Sequence, residues 1–257
     1  MDISEVCKYI RDNSEEELCL EEVAKHFGYS KYHFSRKFKQ KTGYSYKQYI
    51  EALKIEQSIE LILDANSNIT QVFIESKHES SGTFSGTFKK LTGLSPKIYK
   101  KSINILYKML LLSMKDKKEI TYRKVKSNAG GRISIRLHYP EIHDERISFI
   151  GLFENGIPNS APIVGKALYK CNNCVLDLIP EGRYHILVTE IDLTSDISSY
   201  FLLNNNYRAK LDHKLLITKD TDEHFDLYMR LSIPEDPPIL VNLPHLVKQA
   251  LLSEDSN

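Results

Sequence analysis

The sequence predicts a multidomain chain in which an all-α N-terminal double helix-turn-helix domain is followed by a mostly-β sandwich domain. Three observations predict this fold class. The motif that runs from Phe34 to Ser45 returns fifty residues later, from Phe84 to Ser95, which indicates a duplicated unit. A helical apolar pattern precedes each copy. From about residue 120 of the 257, short apolar runs separated by turn residues replace that pattern, which is typical of strands.

The first copy of the motif follows a predicted amphipathic helix. Its apolar residues recur at the i, i+3, i+4 and i+7 positions of one helical face: Leu20, Val23, Ala24 and Phe27. Gly28 stands where the chain has to leave that helix with a positive φ, and Ser30 can cap the helix that starts at Lys31. This second helix buries Phe34 and Phe38. A helix, a tight turn and a capped second helix together predict a helix-turn-helix unit.

The segment from Gly28 to Ser45 resembles the first DNA-reading unit of the AraC/XylS family of transcription regulators. The segment from Phe84 to Tyr99 resembles that family's closing signature. The resemblance covers roughly residues 1–101, an AraC-type double helix-turn-helix DNA-binding domain. It implies that double-stranded DNA is a partner and that a long helix after Ser45 holds both recognition helices on one face of the DNA. In the family these helices reach successive major grooves, about 34 Å apart.

Basic residues are clustered in a way that suits DNA, although the chain as a whole is nearly neutral. The net charge is +1, yet residues 23–50 and residues 80–115 each contain seven Lys or Arg and no Asp or Glu. Phosphate neutralisation needs such clustering rather than a high total charge. Acidic residues gather at 12–22 and 51–64, on helices that we expect to face away. Lysine outnumbers arginine by 26 to 9, so a lysine-rich solvated surface is the alternative interpretation.

The resemblance also implies which side chains read bases and which contact phosphates. The base-reading residues are Lys31, Tyr32, Ser35, Arg36, Ser81 and Ser85. The phosphate-contacting residues are Ser30, Lys39, Lys47, Ser80, Thr83, Lys89 and Lys90. Arg36 can donate two hydrogen bonds to guanine O6 and N7, a contact worth about 1–3 kcal/mol of discrimination. The alternative for Arg36 is an ion pair with a nearby carboxylate on the protein surface.

The second unit departs from the first at its outward positions. Gly86 replaces Arg36, and the serines of this recognition helix are too short to reach far into a groove. Lys77 stands at the turn where glycine is usual, and a lysine with positive φ is mildly strained. We therefore expect this unit to serve packing and phosphate contact with weak base reading. His78 is expected to be a half-buried turn residue.

Residues 102–118 are predicted to form an apolar connecting helix. Apolar residues cover most of its circumference, so we expect burial on several sides. It is too short to span a membrane, and Lys108 lies inside it. Two interpretations stay open: a helix wedged between domains or paired with a second subunit, and a core helix of the C-terminal domain. A charged hinge is predicted over Lys115–Lys118.

Residues 119–257 are predicted to form a β-sandwich domain with an effector-binding or dimerisation role. Six runs mark its strands: Ile133–Leu137, Ile147–Phe153, Val175–Leu178, Tyr184–Val188, Lys214–Thr218 and Phe225–Leu231. A closing helix is expected near Leu243–Leu252. The corner between two strands over residues 179–184 resembles transthyretin-like and carboxypeptidase-regulatory-like sandwich domains.

The segment from Cys171 to Cys174 is the motif in this region that could carry chemistry. Asn172 and Asn173 suit a two-residue hairpin turn, which would place the two cysteines opposite each other. Without a second cysteine pair or a histidine cluster a zinc site lacks ligands, so we expect reduced cysteines and no metal or cofactor. No nucleophile–base pair predicts an enzyme. No signal peptide or membrane span is recognised, so a cytoplasmic protein is expected.

Two classes of function stay open. The first is a transcription regulator, an activator by the commoner mode of the family, which would contact RNA polymerase. Its C-terminal domain would bind a small-molecule effector or form a homodimer, since a second copy of one good reading helix raises specificity. The second class is a regulator-derived protein whose sandwich is a carbohydrate-binding or catalytic module.

Overall fold

A computed structural model describes residues 1–14, 18–125, 127–140 and 145–254 of the chain. Its first part is helical: α1 (Ile3–Asp12), α2 (Leu20–His26), α3 (Lys31–Thr42), α4 (Tyr46–Leu63), α5 (Ile69–Glu75), α6 (Ser81–Thr92) and α7 (Pro96–Asp116). Its second part is mostly strands: β1 (Glu119–Arg123), β2 (Gly131–His138), β3 (Arg146–Phe153), β4 (Val164–Tyr169), β5 (Asn173–Ile179), β6 (Gly182–Asp192), β7 (Arg208–Lys210), β8 (Leu215–Ile217) and β9 (Asp222–Tyr228). Helix α8 (Leu243–Glu254) follows β9. The predicted order, a helical region before a region rich in strands, is confirmed.

Serine caps and glycine turns define the helix ends in both units. Three serines accept a hydrogen bond from the backbone N–H three residues on, at the starts of α3, α4 and α6: Ser30, Ser45 and Ser80. Gly43 and Gly93 take positive φ at the ends of α3 and α6. Gly28 has a φ of 73° in the first turn, as the sequence predicts.

The phenylalanines of the repeat form the cores of the two units. Phe34 and Phe38 on α3, and Phe84 and Phe88 on α6, are at most 1 % exposed. The long helix α4 packs against both recognition helices, and α7 packs against α6 and α4. The ring of Tyr99 on α7 lies 5.4 Å from the ring of Phe88, edge to face. One long helix, α4, therefore packs against both units, as the resemblance implies.

The strands form two sheets within the described residues. The larger sheet has the order β1-β4-β3-β6-β7, with β8 also paired to β6. The smaller sheet has the order β5-β2-β9, and its β2 and β9 run parallel. Buried side chains of both sheets, among them Ile135 on β2 and Ile150 on β3, belong to one apolar core. Helix α8 packs beside β1 and against α7.

Most of the predicted strands coincide with observed ones, and three observed strands were not predicted. The last predicted run is shifted, because β9 ends at Tyr228 rather than at Leu231. β1, β4 and β7 were missed: β1 follows directly on a run of lysines, β4 contains Gly165 and Lys166, and β7 has three residues. None of the three carries a long apolar alternation. The helix expected near Leu243–Leu252 is α8.

The predicted cysteine hairpin is wrong. β4 ends at Tyr169 and pairs with β1 and β3, whereas β5 begins at Asn173 and pairs with β2 in the other sheet. The turn between them therefore passes from one sheet to the other. Cys174 faces the core that the two sheets share, where burial raises the pKa of its thiol to about 12. Cys171 stays exposed, and both thiols are free.

Helix α7 packs against α4, α6, α8 and β4, but part of its surface is exposed, so the expectation of burial on several sides holds for only part of its circumference. Leu106, Leu110 and Met114 are at most 1 % exposed and belong to the core that includes α8. On another face, Ile105 is 65 % and Leu112 is 73 % exposed. No element of the described chain covers these two side chains.

The helical and strand regions share an apolar core. The predicted boundary at residue 101 lies inside α7, which runs on to Asp116. The ring of Tyr99 lies 5.9 Å from Phe201, and the ring of Tyr107 lies 4.8 Å from Tyr200. The division of the chain at residues 101 and 118 stays a prediction, because contacts alone do not show which parts unfold together.

Hydrogen bonds from two arginines, Arg230 and Arg11, hold the segment around Asp236 against α1 and α4. Arg230 donates two hydrogen bonds to the Asp236 carboxylate, at 2.7 and 2.8 Å, and the Ile233 N–H donates a third at 2.9 Å. Arg11 of α1 donates to the Asp236 backbone carbonyl at 2.9 Å and to the Glu56 carboxylate of α4 at 3.1 Å. Burial opposes the ionisation of Asp236, but the hydrogen bonds from Arg230 and Ile233 leave its pKa below the ordinary value.

Replacing Asp236 by asparagine is expected to cost about 1–2 kcal/mol of the free energy of unfolding near pH 7. Arg230 is 38 % exposed, which keeps this figure below that of a fully buried pair. Because the folded-state pKa is lowered, the contribution is present above the unfolded value near 3.8 and is lost as pH falls through the folded value. Urea unfolding of both proteins at pH 7 and pH 3 measures the difference.

The control is Asp12→Asn, since Asp12 pairs with Lys8 on the exposed surface of α1. Its effect is expected to stay within about 0.5 kcal/mol. If the Asp236→Asn deficit were as large at pH 3 as at pH 7, the ionised carboxylate would not be its source.

Candidate nucleic-acid interface

The N-terminal half of α3 presents a polar face to solvent. Tyr32, Ser35 and Arg36 are spaced i, i+3 and i+4, so they share one side of the helix. Tyr32 is 81 % exposed, Arg36 is exposed, and Ser35 is partly buried. Arg36 makes no hydrogen bond or ion pair with any of the described residues. The alternative interpretation, in which Arg36 forms a surface ion pair, is therefore not observed. Its guanidinium is available to a partner.

Lys31, the first residue of this helix, is already engaged. Its ammonium donates to the Glu21 carboxylate of α2, and that hydrogen bond raises the pKa of Lys31 and lowers the pKa of Glu21. The expectation that the acidic residues of 12–22 face away is therefore wrong for Glu21. The start of α2 lies beside the start of α3, which no periodicity in the sequence could show. Lys31 has to leave Glu21 before it can contact another anion.

Glu21→Gln is expected to strengthen the binding of this protein to any DNA duplex roughly two- to fivefold at low salt. The change removes a carboxylate that competes for Lys31 and repels phosphates at the same place. Fluorescence anisotropy with a duplex of random sequence measures it. Glu22→Gln is the matched control, because Glu22 is exposed on the same helix and is not paired with Lys31. An equal gain from both substitutions would show a general charge effect instead.

The predicted phosphate-contacting residues of the first unit are all exposed. Ser30 precedes α3, and its side chain accepts a hydrogen bond from the His33 N–H at 3.4 Å. Lys39 lies two turns further along α3 than Tyr32, and Lys47 lies in the first turn of α4. In the chain, Ser30 precedes the exposed stretch from Tyr32 to Arg36, and Lys39 and Lys47 follow it. The structure thus leaves them accessible, and their roles stay predictions.

The second recognition helix, α6, presents a shorter surface. Ser81 is exposed and Ser85 is partly buried, and Gly86 leaves no side chain where the first unit has Arg36. The hydroxyls of Ser80 and Thr83 lie 2.9 Å apart and are hydrogen-bonded to each other. Lys89 and Lys90 in the last turns are also exposed. The surface can reach phosphates, but it has no long side chain in its N-terminal half.

The turn of the second unit adopts the strained geometry that the sequence predicts. Lys77 has a φ of 52°, and its carbonyl accepts a hydrogen bond from the Lys54 ammonium of α4 at 3.3 Å. His78 is partly buried and its Nδ1 lies 3.1 Å from the Ser76 carbonyl. Burial, followed by the charge of Lys54, lowers the pKa of this imidazole. The prediction of a half-buried turn histidine is confirmed.

The strand region contacts the opposite ends of both recognition helices. Just after α3, the Tyr44 hydroxyl donates to the Glu235 carbonyl at 3.1 Å. In the last turn of α6, the Leu91 carbonyl accepts from the Ser160 N–H at 2.5 Å. The N-terminal halves of α3 and α6 remain exposed while their C-terminal ends are held. Sequence reasoning missed these contacts, because the partners are far apart in the chain and no local pattern links them.

No group of three His, Cys, Asp or Glu side chains in the described ranges could hold a metal ion. His138 and Asp226 are paired at 2.6 Å on an exposed strand surface. No helix of the described residues is long and apolar enough to cross a membrane.

Comparisons with known proteins match part of the chain. A family model described as a helix-turn-helix domain matches residues 23–102. The multiple antibiotic resistance protein MarA of Escherichia coli (strain K12) is 35 % identical over 98 residues, which cover 38 % of this chain and 77 % of that protein. The HTH-type transcriptional activator AarP of Providencia stuartii is 29 % identical over 113 residues, which cover 44 % of this chain and 84 % of AarP.

Two solved structures are similar over a comparable share of the chain. The C-terminal domain of AraT, a response regulator from Geobacillus stearothermophilus, matches with 29 % identity and a TM-score of 0.37, covering 40 % of this chain and 86 % of that one. The DNA-binding domain of AdpA, solved in complex with a target DNA, matches with 21 % identity and a TM-score of 0.38, covering 40 % and 93 %.

Proposed function

Because the chain belongs to the AraC family of helix-turn-helix regulators, we propose that it binds double-stranded DNA at specific sequences and regulates transcription. The exposed N-terminal half of α3, with an unpaired Arg36 in an acid-free stretch of the chain, is the observation that carries this proposal. A helix presented in this way can enter the major groove by its first turns. The strand region does not block it, since that region contacts the other end of α3.

We propose different roles in DNA binding for the two recognition helices. In α3, Lys31, Tyr32, Ser35 and Arg36 read bases, and Ser30, Lys39 and Lys47 contact phosphates. In α6, Ser81 and Ser85 make short base contacts, while Ser80, Thr83, Lys89 and Lys90 contact phosphates. The support is the reach of the side chains, because Gly86 stands where α3 has Arg36.

The test is a binding titration with the DNA upstream of the protein's own coding sequence. We expect one preferred site, with an affinity that falls as a power of salt concentration because phosphate contacts release counterions. A scrambled duplex of the same composition is the control. Binding that is equal for both duplexes at every salt concentration would refute sequence-specific recognition.

We further propose that the protein activates transcription through contact with RNA polymerase. The support is that AarP, a relative of the helical part, is described as a transcriptional activator. Transcription in vitro from a template with the preferred site tests this, and a fall in transcript on adding the protein would indicate repression. No specific observation favours a carbohydrate-binding or catalytic role for the strand region, and we propose none.

We propose that the protein is a homodimer, free in solution as well as on DNA. Ile98, Ile105 and Leu112 are more than half exposed and recur every seven residues along α7, so they form one apolar stripe. An exposed lysine follows each of them three residues later, at positions 101, 108 and 115. The stems of these lysines can add apolar contact while their ammonium groups stay in water. A second copy of α7 along this stripe would cover it.

Replacing Ile105 and Leu112 together by lysine is expected to raise the dimer dissociation constant roughly 10- to 100-fold. Sedimentation of the full-length variant and of the parent protein measures this. In the parent dimer, Lys101, Lys108 and Lys115 of one copy would repel the same lysines of the other copy. Dimerisation should therefore strengthen as salt concentration rises, whereas DNA binding should weaken. Leu216→Lys is the control, because Leu216 is exposed on β8, away from α7. A monomeric parent protein at micromolar concentration would refute the dimer.

A further inference from the structure

An asparagine followed by a glycine occurs once in the sequence, at Asn155–Gly156 in the loop between β3 and β4. Asn155 is exposed, Gly156 is partly buried, and neither belongs to a helix or a strand. Within the described residues, no hydrogen bond holds the Asn155 side chain or the Gly156 N–H. Because glycine has no Cβ to hinder the approach, its backbone nitrogen can reach the side-chain carbonyl of the asparagine before it.

The reaction open to this pair is deamidation through a cyclic imide. The Gly156 nitrogen attacks Cγ of Asn155, so that a new N–Cγ bond forms and the Cγ–Nδ2 bond breaks. The proton that Gly156 loses ends on the departing amide nitrogen, which leaves as ammonia. Water then opens the ring at one of its two carbonyls and leaves aspartate or isoaspartate at position 155. Water is the co-reactant that completes the balance.

The imidazole of His185, on β6, packs against this pair. A Cβ added to Gly156 would lie 3.6 Å from both Cε1 and Nε2 of His185. The Nε2 atom is buried and has no hydrogen-bond partner in the described part of the chain. A neutral imidazole with a free ring nitrogen can accept the proton from the Gly156 nitrogen and return it to the departing amide.

The surroundings of His185 favour its neutral form near pH 7. Burial lowers the pKa of His185 below the ordinary value of 6.5, and the charges of Lys214, just before β8, and of Lys210, on β7, lower it further. Tyr44 also lies beside Gly156, and burial raises the pKa of its hydroxyl, so this neighbour adds no charge. The group next to the reacting amide is therefore a base rather than a cation.

We propose that Asn155 is a site of spontaneous deamidation in the folded protein, with His185 as the general base. Both products add a negative charge to the loop, and isoaspartate also adds one carbon to its backbone. Gly156 packs beside Tyr44, whose hydroxyl is bound to the Glu235 carbonyl, so the modification changes the contact between the strand region and the end of α3. The inference does not depend on the proposed function.

Incubation of the full-length protein at neutral pH, followed by peptide mapping with mass spectrometry, tests the site. We expect conversion of Asn155 and little conversion of Asn159 in the same loop, because the Asn159 amide donates to the Ile157 carbonyl at 3.1 Å and a serine follows it. Gly156→Ala should slow the conversion roughly tenfold or more, since a methyl group hinders the attack. The methyl group itself fits, because its nearest neighbours would lie 3.5 Å away or further.

An unstructured peptide with the sequence of this loop is the reference for these rates. The site is refuted if Asn155 stays unconverted in the folded protein while the peptide is converted completely. Equal rates at Asn155 and Asn159 would also refute it, because the loop would then give Asn155 no advantage.

The pH profile of the conversion tests the role of His185. In the peptide, hydroxide removes the proton, so the rate should fall about tenfold for each unit of pH. In the folded protein the rate should stay nearly constant from about pH 8 to below the ordinary value of 6.5, because the imidazole remains neutral over that range. His185→Gln, shown to be folded by circular dichroism, should restore the steep profile. A steep profile in the parent protein, or a flat one in the variant, would refute the general base.

Discussion

Replacing Phe38 by alanine is expected to cost about 3–5 kcal/mol of the free energy of unfolding. The Phe38 ring is fully buried on α3, and its centroid lies 5.7 to 6.1 Å from those of Phe34, Tyr44, Tyr46 and Tyr49. The substitution opens a cavity among rings that cannot collapse onto it without moving α4. Guanidinium unfolding of the parent and variant proteins measures the loss.

The same experiment tests whether the helical region and the strand region unfold together or as separate domains. Tyr44 and Tyr49 contact both Phe38 and the segment 234–235 of the strand region. The loss of packing at Phe38 should therefore also destabilise that region. We expect far-ultraviolet circular dichroism and tyrosine fluorescence to report one shared transition, displaced as a whole in Phe38→Ala. Tyr32→Ala removes an exposed ring from the same helix and should change stability by less than about 0.5 kcal/mol. Two separate transitions, with only one of them shifted, would instead support independent domains.

Replacing Arg36 by alanine is expected to weaken binding to the preferred DNA site by about 1–3 kcal/mol, that is roughly 5- to 150-fold. Arg36 is a long, unpaired, exposed side chain on the proposed reading face of α3, and its loss would remove the proposed bidentate contact to a base. Ser85→Ala at the corresponding face of α6 should cost less than about 1 kcal/mol, since a partly buried serine makes at most one short contact. Anisotropy titrations with the preferred and scrambled duplexes separate the two effects.

Lys89→Ala provides a third comparison on the same duplexes. A phosphate contact should weaken both duplexes alike and reduce the salt dependence by about one counterion. Equal losses for Arg36→Ala and Ser85→Ala would overturn the asymmetry of the two units. So would a loss in Arg36→Ala that is the same for the scrambled duplex, because that pattern belongs to a phosphate contact.

Much of the helical part could be predicted because its signals are local. Ser30, Ser45 and Gly28 act on backbone groups within a few residues of themselves, so the sequence alone determined where helices start and turn. Even the strained φ of Lys77 was predictable, since Lys77 stands in the turn of the second unit where glycine is usual. The strand region was predicted less well. β1, β4 and β7 lack a long alternation, and their pairing with distant strands determines that they are strands.

Only the tertiary structure decided which distant residues meet. Periodicity shows that a residue is buried, but it does not identify the partner, so the cysteine turn was predicted as a hairpin although its strands belong to different sheets. For the same reason the sequence could place Lys31 and Arg36 on one helix but could not show that Glu21 engages the first and leaves the second unpaired. The contacts of the strand region with Leu91 and Tyr44 likewise exist only because segments far apart in the chain are packed together.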